Sequence, residues 1–443
     1  MQQLTPQDAV FLSIETEEFP AHIGGLSFLE PTEGRCFDFE AFVDFARERL
    51  SPCERFSWRL QEVPLALDRP YWVRTEDFDP ADHIERIAVP SPYSDESLAR
   101  MVGMLFERPL DRSRPLWEMI LIEGLPGGRF VLLWKVHHCL MDGSSGANLS
   151  EHLFDLSPDA ERPAPANIAD DAQAGRKVPT RRMFSRAARN LVEVRRNQVR
   201  HLTRAVRDLA SRNAQATRPP VPRAFFNDKV GVQRGLVWSS VSLEDVKRLK
   251  NALSVTVNDV ILSITAGAMR DYLSERKALP EDSLVASVPC STRAADDDRL
   301  GNQVREMPVR WCTDIEDPVE RVLQIHRDAS AAKQAARSGD SVDLIGLMGE
   351  ALLPAGVQLL IRGAAAAADK IPLEGNAVVS NVPMTPFPLY CAGAKITRAV
   401  PISLLAPTQG MNITVLSYCG ELHFGIVHDP RLLPDPWELA GRV

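Results

Sequence analysis

Residues 130–143, FVLLWKVHHCLMDG, join an apolar run to a cluster of chemically active side chains. The run 130–136 has the length of a strand, and its continuous apolar character predicts burial of both faces in a mixed sheet. A similar run at 119–122 precedes it, and the turn-forming residues 125–128 (LPGG) lie between them. This pattern predicts two strands inside a sheet, with the active side chains at one strand end.

Helices and strands alternate on both sides of this stretch. A helix is predicted at 39–50, with Asp38 as its cap, and another at 257–268. A third begins at Asp317, because a capping residue followed by proline is typical of a helix start. The other strand-like runs lie at 235–241, 284–288, 307–311 and 377–379, and 413–418 with 421–427 form a predicted hairpin. The fold class is therefore predicted to be α/β, in two halves of similar size.

A proline-rich and strongly basic connector separates the halves. Residues 176–223 contain fourteen Lys and Arg but only two acids, a local charge of +12. Residues 181–212 are predicted to form a long basic amphipathic helix, with an apolar stripe of Phe184, Ala188, Leu191, Leu202, Val206 and Leu209. Such helices lie on anionic membranes, where each Lys or Arg contributes about 1 kcal/mol; the alternative is a solvated crossover helix between two domains. We predict domains at residues 1–158 and 225–443 and the connector at 159–224.

The composition restricts the class of protein. The chain has 443 residues, 44% of them hydrophobic and 25% charged, which is typical of a globular protein with two or three domains. Its net charge of -8 argues against a nucleic-acid partner. No apolar run reaches the roughly 18 residues of a membrane span, and the first residues lack a signal-peptide pattern, so a cytoplasmic location is expected. Seven cysteines without a C-x-x-C pair predict reduced thiols and no metal site.

His137 and His138 are the strongest candidates for chemistry. Side chains alternate along a strand, so the two rings are expected on opposite faces, and only one can occupy a given pocket. Asp142 stands four residues after His138, and Gly143 supplies a free backbone, so a turn could bring the carboxylate back toward an imidazole. A neutral imidazole can act as a general base worth roughly 10²–10⁴ in rate. The alternative is that two histidines end a buried strand and form only local hydrogen bonds.

Other chemistries have weaker support. A Cys139 nucleophile is disfavoured because adjacent side chains point apart, and Ser144 and Ser145 are one position away from a G-x-S-x-G elbow. The remaining histidines are isolated, and neither a G-x-G-x-x-G nor a Walker loop is present. An imidazole base is therefore the predicted centre of the chemistry.

Residues 137–143 resemble the HHxxxDG signature shared by CoA-dependent acyltransferases and nonribosomal peptide condensation domains. Within that superfamily the chain most resembles the bacterial wax ester synthase/diacylglycerol acyltransferase family. The supporting stretches are LTPQD at 4–8 with FL at 11–12 and ET at 15–16, PLW at 115–117, ND at 258–259 and GN at 301–302. Residues 381–383 (NVP) begin like the family's NVPGP motif, but Met384 replaces its glycine.

The resemblance implies acyl transfer in one step through a ternary complex. His138 would take the proton from an acceptor hydroxyl, whose oxygen attacks the thioester of acyl-CoA, and the same imidazole would protonate the departing CoA. Asp142 would pair with an arginine, either Arg59 or Arg293, to keep the loop in shape, and His137 would support that loop. No cofactor is implied, since acyl-CoA is a substrate.

Asn258 has both a catalytic and a structural interpretation. Thr256 and Asp259 form a capping-box pattern that places Asn258 in the first turn of a helix, near the positive end of its dipole. Asn258 is therefore a candidate donor to the oxyanion of the reaction, or else it makes a local hydrogen bond at the helix start.

The predicted substrate-binding residues are Pro115, Leu116, Trp117 and Gly143. The PLW stretch is a candidate wall of an acyl channel, or else a strand entry packed in the core. Arginine side chains near the mouth of the site are expected to contact the CoA phosphates, but no motif identifies them.

The resemblance also implies a fold and substrates. The fold would be two chloramphenicol-acetyltransferase-like α/β domains, each a mixed sheet flanked by helices, with a tunnel at their interface. A long-chain acyl group would pass to diacylglycerol or a long-chain alcohol, and the protein would be peripheral to a membrane or lipid droplet. The alternatives are a condensation-type or polyketide-associated acyltransferase with a carrier-protein donor, and a non-catalytic lipid-binding protein.

Overall fold

The computed structural model describes residues 2–33, 37–51, 53–140, 153–160, 177–211, 221–291, 304–338, 344–366 and 373–443. The described helices are α1 (Pro6–Ile14), α2 (Phe39–Leu50), α3 (Asp95–Phe106), α4 (Thr180–Ser211), α5 (Leu243–Leu253), α6 (Val257–Glu275), α7 (Pro318–Ser338), α8 (Leu344–Ala351), α9 (Pro354–Ala366) and α10 (Pro436–Ala440). Among them no single helix is long and apolar enough to cross a membrane; α5 and α6 meet that test of length and composition only together, bent by 106°.

The described strands fall into three sheets. They are β1 (Gln2–Gln3), β2 (His22–Glu30), β3 (Trp58–Gln61), β4 (Tyr71–Arg74), β5 (Ile84–Ala88), β6 (Trp117–Glu123), β7 (Phe130–His137), β8 (Gly235–Ser242), β9 (Val285–Ser291), β10 (Val304–Arg310), β11 (Ala377–Pro383), β12 (Tyr390–Cys391), β13 (Ala394–Ile402), β14 (Met411–Tyr418) and β15 (Glu421–His428). Strands β1, β4 and β3 form a small sheet beside two larger ones. The predicted helices and strands are confirmed, with shifts of a few residues at some ends.

The first large sheet has the strand order β12-β13-β2-β7-β6-β5. Strand β7 is antiparallel to its neighbours β2 and β6, whereas β5 and β6 run parallel, so the sheet is mixed. Leu132 and Val136 of β7 are buried in a core with α1 and α2, while Val131 and Leu133 are buried with α3. The predicted central strand at 130–136 is therefore covered on both faces, as its apolar run required.

The second large sheet has the order β10-β9-β11-β14-β15-β8 and is also mixed, because β11 runs parallel to β9 and β14. Strands β14 and β15 form the predicted hairpin, which turns at Cys419 and Gly420 with positive φ at both residues. Helix α6 packs on this sheet through Val260 and Ile261, which share a core with Phe424 of β15. Both halves of the chain thus contain a mixed sheet flanked by helices.

One pair of strands crosses between the halves. Strands β12 and β13 come late in the chain, yet β13 is antiparallel to β2 of the first sheet, with Lys395 opposite Glu30 and Ile402 opposite Gly24. The first sheet is therefore completed by residues from the C-terminal half. The division into 1–158, 159–224 and 225–443 stays a prediction about domains.

The two large sheets meet through α3 and β8. Val102 of α3 lies in one buried cluster with Trp238 of β8, and Leu133 of β7 belongs to the same cluster. A Cβ on Gly103 of α3 would collide with the backbone oxygen of Arg234, so this close approach requires glycine. The helix behind β7 is thereby packed directly on the edge of the second sheet.

Helix α4 confirms the predicted long basic helix, although Arg212 lies outside the described residues. Met183 is buried, and Gln198 donates a hydrogen bond to the Ala351 carbonyl of α8 at 2.8 Å, so one face of α4 is attached to the protein. The part of the predicted apolar stripe whose side chains are described lies on another side, since Phe184 and Leu191 are each 43% exposed.

Candidate active site

The end of β7 is fixed by backbone hydrogen bonds on both sides. The His137 N–H donates to the Leu116 carbonyl at 3.0 Å, and the His138 N–H donates to the Ala21 carbonyl at 2.8 Å. The Leu140 N–H then donates back to the His137 carbonyl at 2.9 Å, so the chain turns as soon as the strand ends. The two histidines therefore lie at the start of a tight turn, at the C-terminal end of an interior strand of the first sheet.

The PLW stretch forms the strand entry beside this turn. Leu116 and Trp117 are buried, and the Trp117 indole N–H donates to the Phe56 carbonyl at 2.8 Å. The ring of His83 stacks on that indole, with centroids 4.6 Å apart. These contacts agree with core packing at the start of β6, which supplies the carbonyl that binds His137. The role of Pro115, Leu116 and Trp117 as a channel wall stays a prediction.

The His137 ring is fully buried, with a hydrogen bond at Nδ1 and a carboxylate close to Nε2. Its Nδ1 accepts the Cys139 N–H at 3.1 Å, so the neutral ring carries its proton on Nε2. That nitrogen lies 3.4 Å from Oε1 of Glu15. Burial raises the pKa of Glu15, but His137 and Arg112 outweigh it and lower that pKa to about 2, so the carboxylate is ionised at neutral pH.

The His138 ring has different neighbours and a different exposure. It is half-buried and stacks on Phe11 of α1, with centroids 4.0 Å apart and an angle of 13° between the rings. His137 faces Glu15 instead, so the two adjacent rings lie in separate surroundings, as strand alternation predicts. Of the two residues, His138 is half-buried and His137 is fully buried.

Cys139 is fully buried next to the turn, which disfavours its thiolate. Its side chain is fully buried, and burial, with the nearby carboxylates of Asp8 and Glu15, raises the pKa of the thiol well above its usual value. The geometry agrees with the expectation that this cysteine is no nucleophile.

His22 and Lys135 bind the end of α3 behind the same strands. The His22 Nε2 lies 2.6 Å from the Phe106 carbonyl, and burial lowers its pKa well below the usual value. The Lys135 ammonium donates to the carbonyls of Leu105 and Arg108 at 3.0 and 2.8 Å. These two groups satisfy carbonyls that a helix end leaves without partners, and they have no access to a reactant.

The structure places Asn258 in the second half of the molecule. The predicted capping box is present, because the Asp259 N–H donates to Thr256 Oγ1 at 3.2 Å and the Thr256 N–H donates to Asp259 Oδ2 at 2.8 Å. His326 of α7 lies 2.7 Å from the same carboxylate oxygen and attaches α7 to this helix start. Asn258 is half-buried at the second position of α6, over the second sheet.

Several predicted residues fall outside the part of the chain that the structure describes. They are Asp142 and Gly143, the GN pair at 301–302 and Arg293, one of the two proposed partners of Asp142. Arg59, the other, is half-buried on β3. Over the described ranges, no three His, Cys, Asp or Glu side chains are grouped so as to hold a metal ion.

Sequence reasoning missed four residues that surround the histidines. Phe11 stacks on His138, Ala21 binds its backbone, Glu15 lies beside His137, and Arg112 binds Glu15. Two of them carried a weak signal, because Phe11 and Glu15 belong to the opening stretches that resemble the family. Nothing in the spacing of Ala21 or Arg112 indicates their role, since each acts through a contact distant along the chain.

The fold and the paired histidines define a class of two-domain acyltransferase-like proteins. A condensation domain of the calcium-dependent antibiotic synthetase matches all of this chain with a TM-score of 0.59, at 16% identity and over 93% of its own length, which shows the shared fold. A wax ester synthase/diacylglycerol acyltransferase from Marinobacter aquaeolei matches all of this chain and 96% of its own, with a TM-score of 0.71 and 29% identity.

Family models identify the particular group within that class. Residues 4–261 match the catalytic domain of wax ester synthase/diacylglycerol acyltransferase, and residues 300–443 match the family's C-terminal domain. The chain therefore belongs to the wax ester synthase/diacylglycerol acyltransferase family and is an acyltransferase. A Mycobacterium tuberculosis protein named as a diacylglycerol O-acyltransferase is 34% identical over 99% of this chain and 88% of its own. The O-acyltransferase WSD of Acinetobacter baylyi is 28% identical over 98% of this chain and 93% of its own.

Proposed function

We propose that this protein transfers a long-chain acyl group from acyl-CoA to the hydroxyl of diacylglycerol, of a long-chain alcohol, or of both. One observation carries the proposal: the half-buried imidazole of His138 is held at the strand end in a tight turn. Its neighbour Cys139 is sealed, so attack by an activated alcohol needs fewer assumptions than a covalent acyl-enzyme. The names of the relatives supply the two acceptor classes.

His138 acts as the general base in this mechanism. The neutral imidazole takes the proton of the acceptor hydroxyl while that oxygen forms a bond to the thioester carbonyl carbon. The C–S bond then breaks, and the imidazolium returns the proton to the CoA sulfur. Such a base contributes roughly 10²–10⁴ in rate. The reaction as written uses only acyl-CoA and the alcohol, so it needs no cofactor.

Asn258 is proposed as the donor to the oxyanion that forms during the attack. Its place in the first turn of α6, with the capping box intact, supports this role because the positive end of a helix favours developing negative charge. Loss of such a donor typically costs about 10²–10³ in rate. Asp142 would keep the loop in shape by pairing with Arg59 or Arg293, and Gly143 would give the substrate access to the backbone.

The reacting groups are proposed to meet in a tunnel between the two large sheets. Tyr418 of β14 in the second sheet is buried in the same core as Phe11, the residue that stacks on His138. The second sheet thus approaches the face of the first sheet on which His138 lies. This proximity of the two sheets supports a shared site, in which the first half contributes His138 and the second half contributes Asn258.

We also propose that α4 docks the enzyme on an anionic lipid surface, from which both acceptors are drawn. Exposed apolar side chains at 184, 188 and 191 follow helical spacing, and exposed arginines at 182, 189 and 196 form a second row about a third of a turn away. This pattern is that of a helix lying in a membrane interface, and each arginine contributes about 1 kcal/mol there. The cytoplasmic location inferred from the sequence stays a prediction.

The reaction is tested by measuring CoA release from palmitoyl-CoA by the purified protein, with hexadecanol or diacylglycerol as acceptor. We expect release matched by wax ester or triacylglycerol, and loss of both in His138→Ala. No acceptor-dependent release from folded protein would overturn the proposal. Release only from a carrier-bound acyl group would instead identify a condensation-type donor.

Docking is tested by flotation with vesicles of anionic or zwitterionic phospholipid. The double change Arg189→Gln and Arg196→Gln is expected to weaken binding to anionic vesicles about 30-fold, since it removes about 2 kcal/mol. Phe184→Ser with Leu191→Ser should weaken binding to both kinds of vesicle. Leu249→Ser on α5 is the matched control, because that side chain is also exposed but lies on another helix. Equal binding by all variants would exclude α4 as the docking element.

A further inference from the structure

Glu15 is a buried carboxylate whose two oxygens have separate partners. It follows α1 directly, and its side chain is 6% exposed. Oε1 accepts the Ala21 N–H at 3.2 Å and lies 3.4 Å from His137 Nε2. Oε2 accepts from Nε and Nη2 of Arg112 at 2.8 and 2.7 Å. A buried charge is stable only when it is paired and hydrogen-bonded in this way.

Both partners of Oε1 lead directly to the backbone around His138. Ala21, whose N–H binds Glu15, uses its carbonyl to accept the His138 N–H at 2.8 Å. His137, whose Nε2 faces Glu15, uses Nδ1 to accept the Cys139 N–H at 3.1 Å. The backbone N–H groups of His138 and Cys139 are therefore bound by Ala21 and His137, the two residues that lie against Oε1 of Glu15.

The His138 ring is connected to the same carboxylate through α1. Phe11 of α1 stacks on that ring, and the next residue, Leu12, offers its carbonyl to Nη2 of Arg112 at 2.7 Å. Arg112 thus joins the end of α1 to Glu15. The Glu15–Arg112 ion pair is therefore connected to His138 in three ways: through Phe11, through the backbone at Ala21, and through the His137 ring.

We propose that Glu15, braced by Arg112, is a positioning residue for the acyl transfer. Its ionised carboxylate favours the His137 tautomer with the proton on Nε2, which leaves Nδ1 free to accept the Cys139 N–H. Through His137 and Ala21 it sets the place of His138, although it does not touch the reacting atoms. This inference rests on the proposed role of His138 as the base.

The test compares Glu15→Gln with Glu118→Gln in steady-state kinetics. Glu118 is the matched control, because it also pairs with a cation of the first sheet, Lys135, without an interaction with either His137 or His138 in the described structure. We expect Glu15→Gln to lower kcat about 10- to 100-fold while KM for palmitoyl-CoA changes less than twofold. Glu118→Gln should keep the wild-type kcat even if it lowers the free energy of unfolding as much as Glu15→Gln does, or more. A wild-type kcat in Glu15→Gln, or equal losses in both variants, would overturn the inference.

A double-mutant comparison separates positioning from general damage. If Glu15 acts through His138, then adding Glu15→Gln to His138→Ala should leave the residual rate unchanged. If Glu15→Gln lowered kcat by the same factor in the His138→Ala background as in the wild type, the proposal would be contradicted. Failure of the proposed function would look different, because the wild type would then show no transfer that depends on His138.

The tautomer gives a second readout that a merely structural role would not move. Long-range ¹H–¹⁵N spectra of protein labelled in histidine should show His137 with its proton on Nε2, the signal being assigned by its loss in His137→Asn. We expect Glu15→Leu to broaden or shift that signal, and Glu118→Gln to leave it unchanged. An unchanged His137 signal in folded Glu15→Leu would argue against the proposed role.

Discussion

Two interior strands in the described part of this protein end in a buried histidine, and only one of them is followed by a half-buried histidine. Strand β7 ends at His137, and the next residue, His138, is half-buried. Strand β15 ends at His428, which is 4% exposed, and the next residue, Asp429, is fully buried. Burial lowers the pKa of His428 to about 4, so that ring is neutral and closed to reactants at neutral pH.

Both strand ends have a carboxylate that is paired with an arginine, but the carboxylate contacts different groups at each end. At β7 the Glu15 carboxylate is braced by Arg112 and faces the His137 ring. At β15 the Asp429 carboxylate is braced by Arg431 and accepts the Gly231 N–H at 2.7 Å, which attaches the strand end to the segment before β8. A braced carboxylate at a strand end therefore indicates a fixed backbone. A base requires in addition an open ring on the next residue.

The largest expected difference lies between His138→Ala and His428→Ala. The first is expected to lower kcat by roughly 10²–10⁴ with little change in stability, since the ring is half-buried and a general base is lost. The second is expected to lower the free energy of unfolding by about 1–3 kcal/mol and to keep kcat per folded molecule. Kinetics and urea unfolding on both variants check this, and a large loss of kcat in folded His428→Ala would break the comparison.

Asp429→Asn should test whether the β15 end is purely structural. Burial raises the pKa of Asp429, but Arg431 and the backbone N–H groups outweigh it, so the pKa is lowered on folding. Stabilisation by this group is therefore present above the unfolded pKa of about 3.9 and is lost as the pH falls through the folded value. We expect a loss of about 2 kcal/mol at pH 7, which shrinks under acid, with kcat unchanged. Equal destabilisation at pH 7 and below pH 3 would count against this account.

The regular elements could be predicted because their signals are local. The run at 130–136, the Asp38 cap of α2 and the Thr256–Asp259 capping box each lie within a few residues, and each is confirmed. The HH pair at the strand end was visible for the same reason. The paired histidines then led to the family, whose models match almost the whole chain.

The features that sequence reasoning missed depend on contacts far apart in the chain. Glu15 meets Arg112 across 97 residues, and β13 pairs with β2 across more than 360. The local sequence pattern does not predict such a pairing, because each partner is an ordinary polar or apolar residue in its own segment. The packing face of α4 was hidden for a related reason, since its contacts include the side-chain amides of Asn190 and Gln198.

His428 should also make the stability of the β15 end depend on pH. The unfolded ring has a pKa of about 6.5, and the folded ring about 4. Below pH 6.5 the ring therefore binds a proton in the unfolded state but not in the folded state. The free energy of unfolding then falls as the pH is lowered, until the pH reaches the pKa of the folded ring. At pH 5.5 this costs about 1.4 kcal/mol.

The measurement is urea unfolding of the wild type and His428→Gln at pH 7.5 and 5.5. The variant should be less stable at both values but should lose less between them, because the titrating ring is gone. His423, whose pKa burial also lowers to about 4, remains in both proteins and so cancels from the difference. An equal loss in wild type and variant would show that His428 is solvated in the folded state.

The smallest effect is expected at Phe11, the residue that gives the β7 end its open but ordered ring. Phe11→Leu keeps an apolar side chain and removes the stacked contact with His138, and such ring pairs contribute about 0.5–1.5 kcal/mol. If the stack orders the imidazole, kcat should fall about three- to tenfold while the Tm changes by only a few degrees. Phe11→Tyr, which retains the ring, should restore most of the rate. A drop in Tm with unchanged kcat would mean that Phe11 only fills the core, and the open end of β7 would then owe its order to the backbone and Glu15 alone.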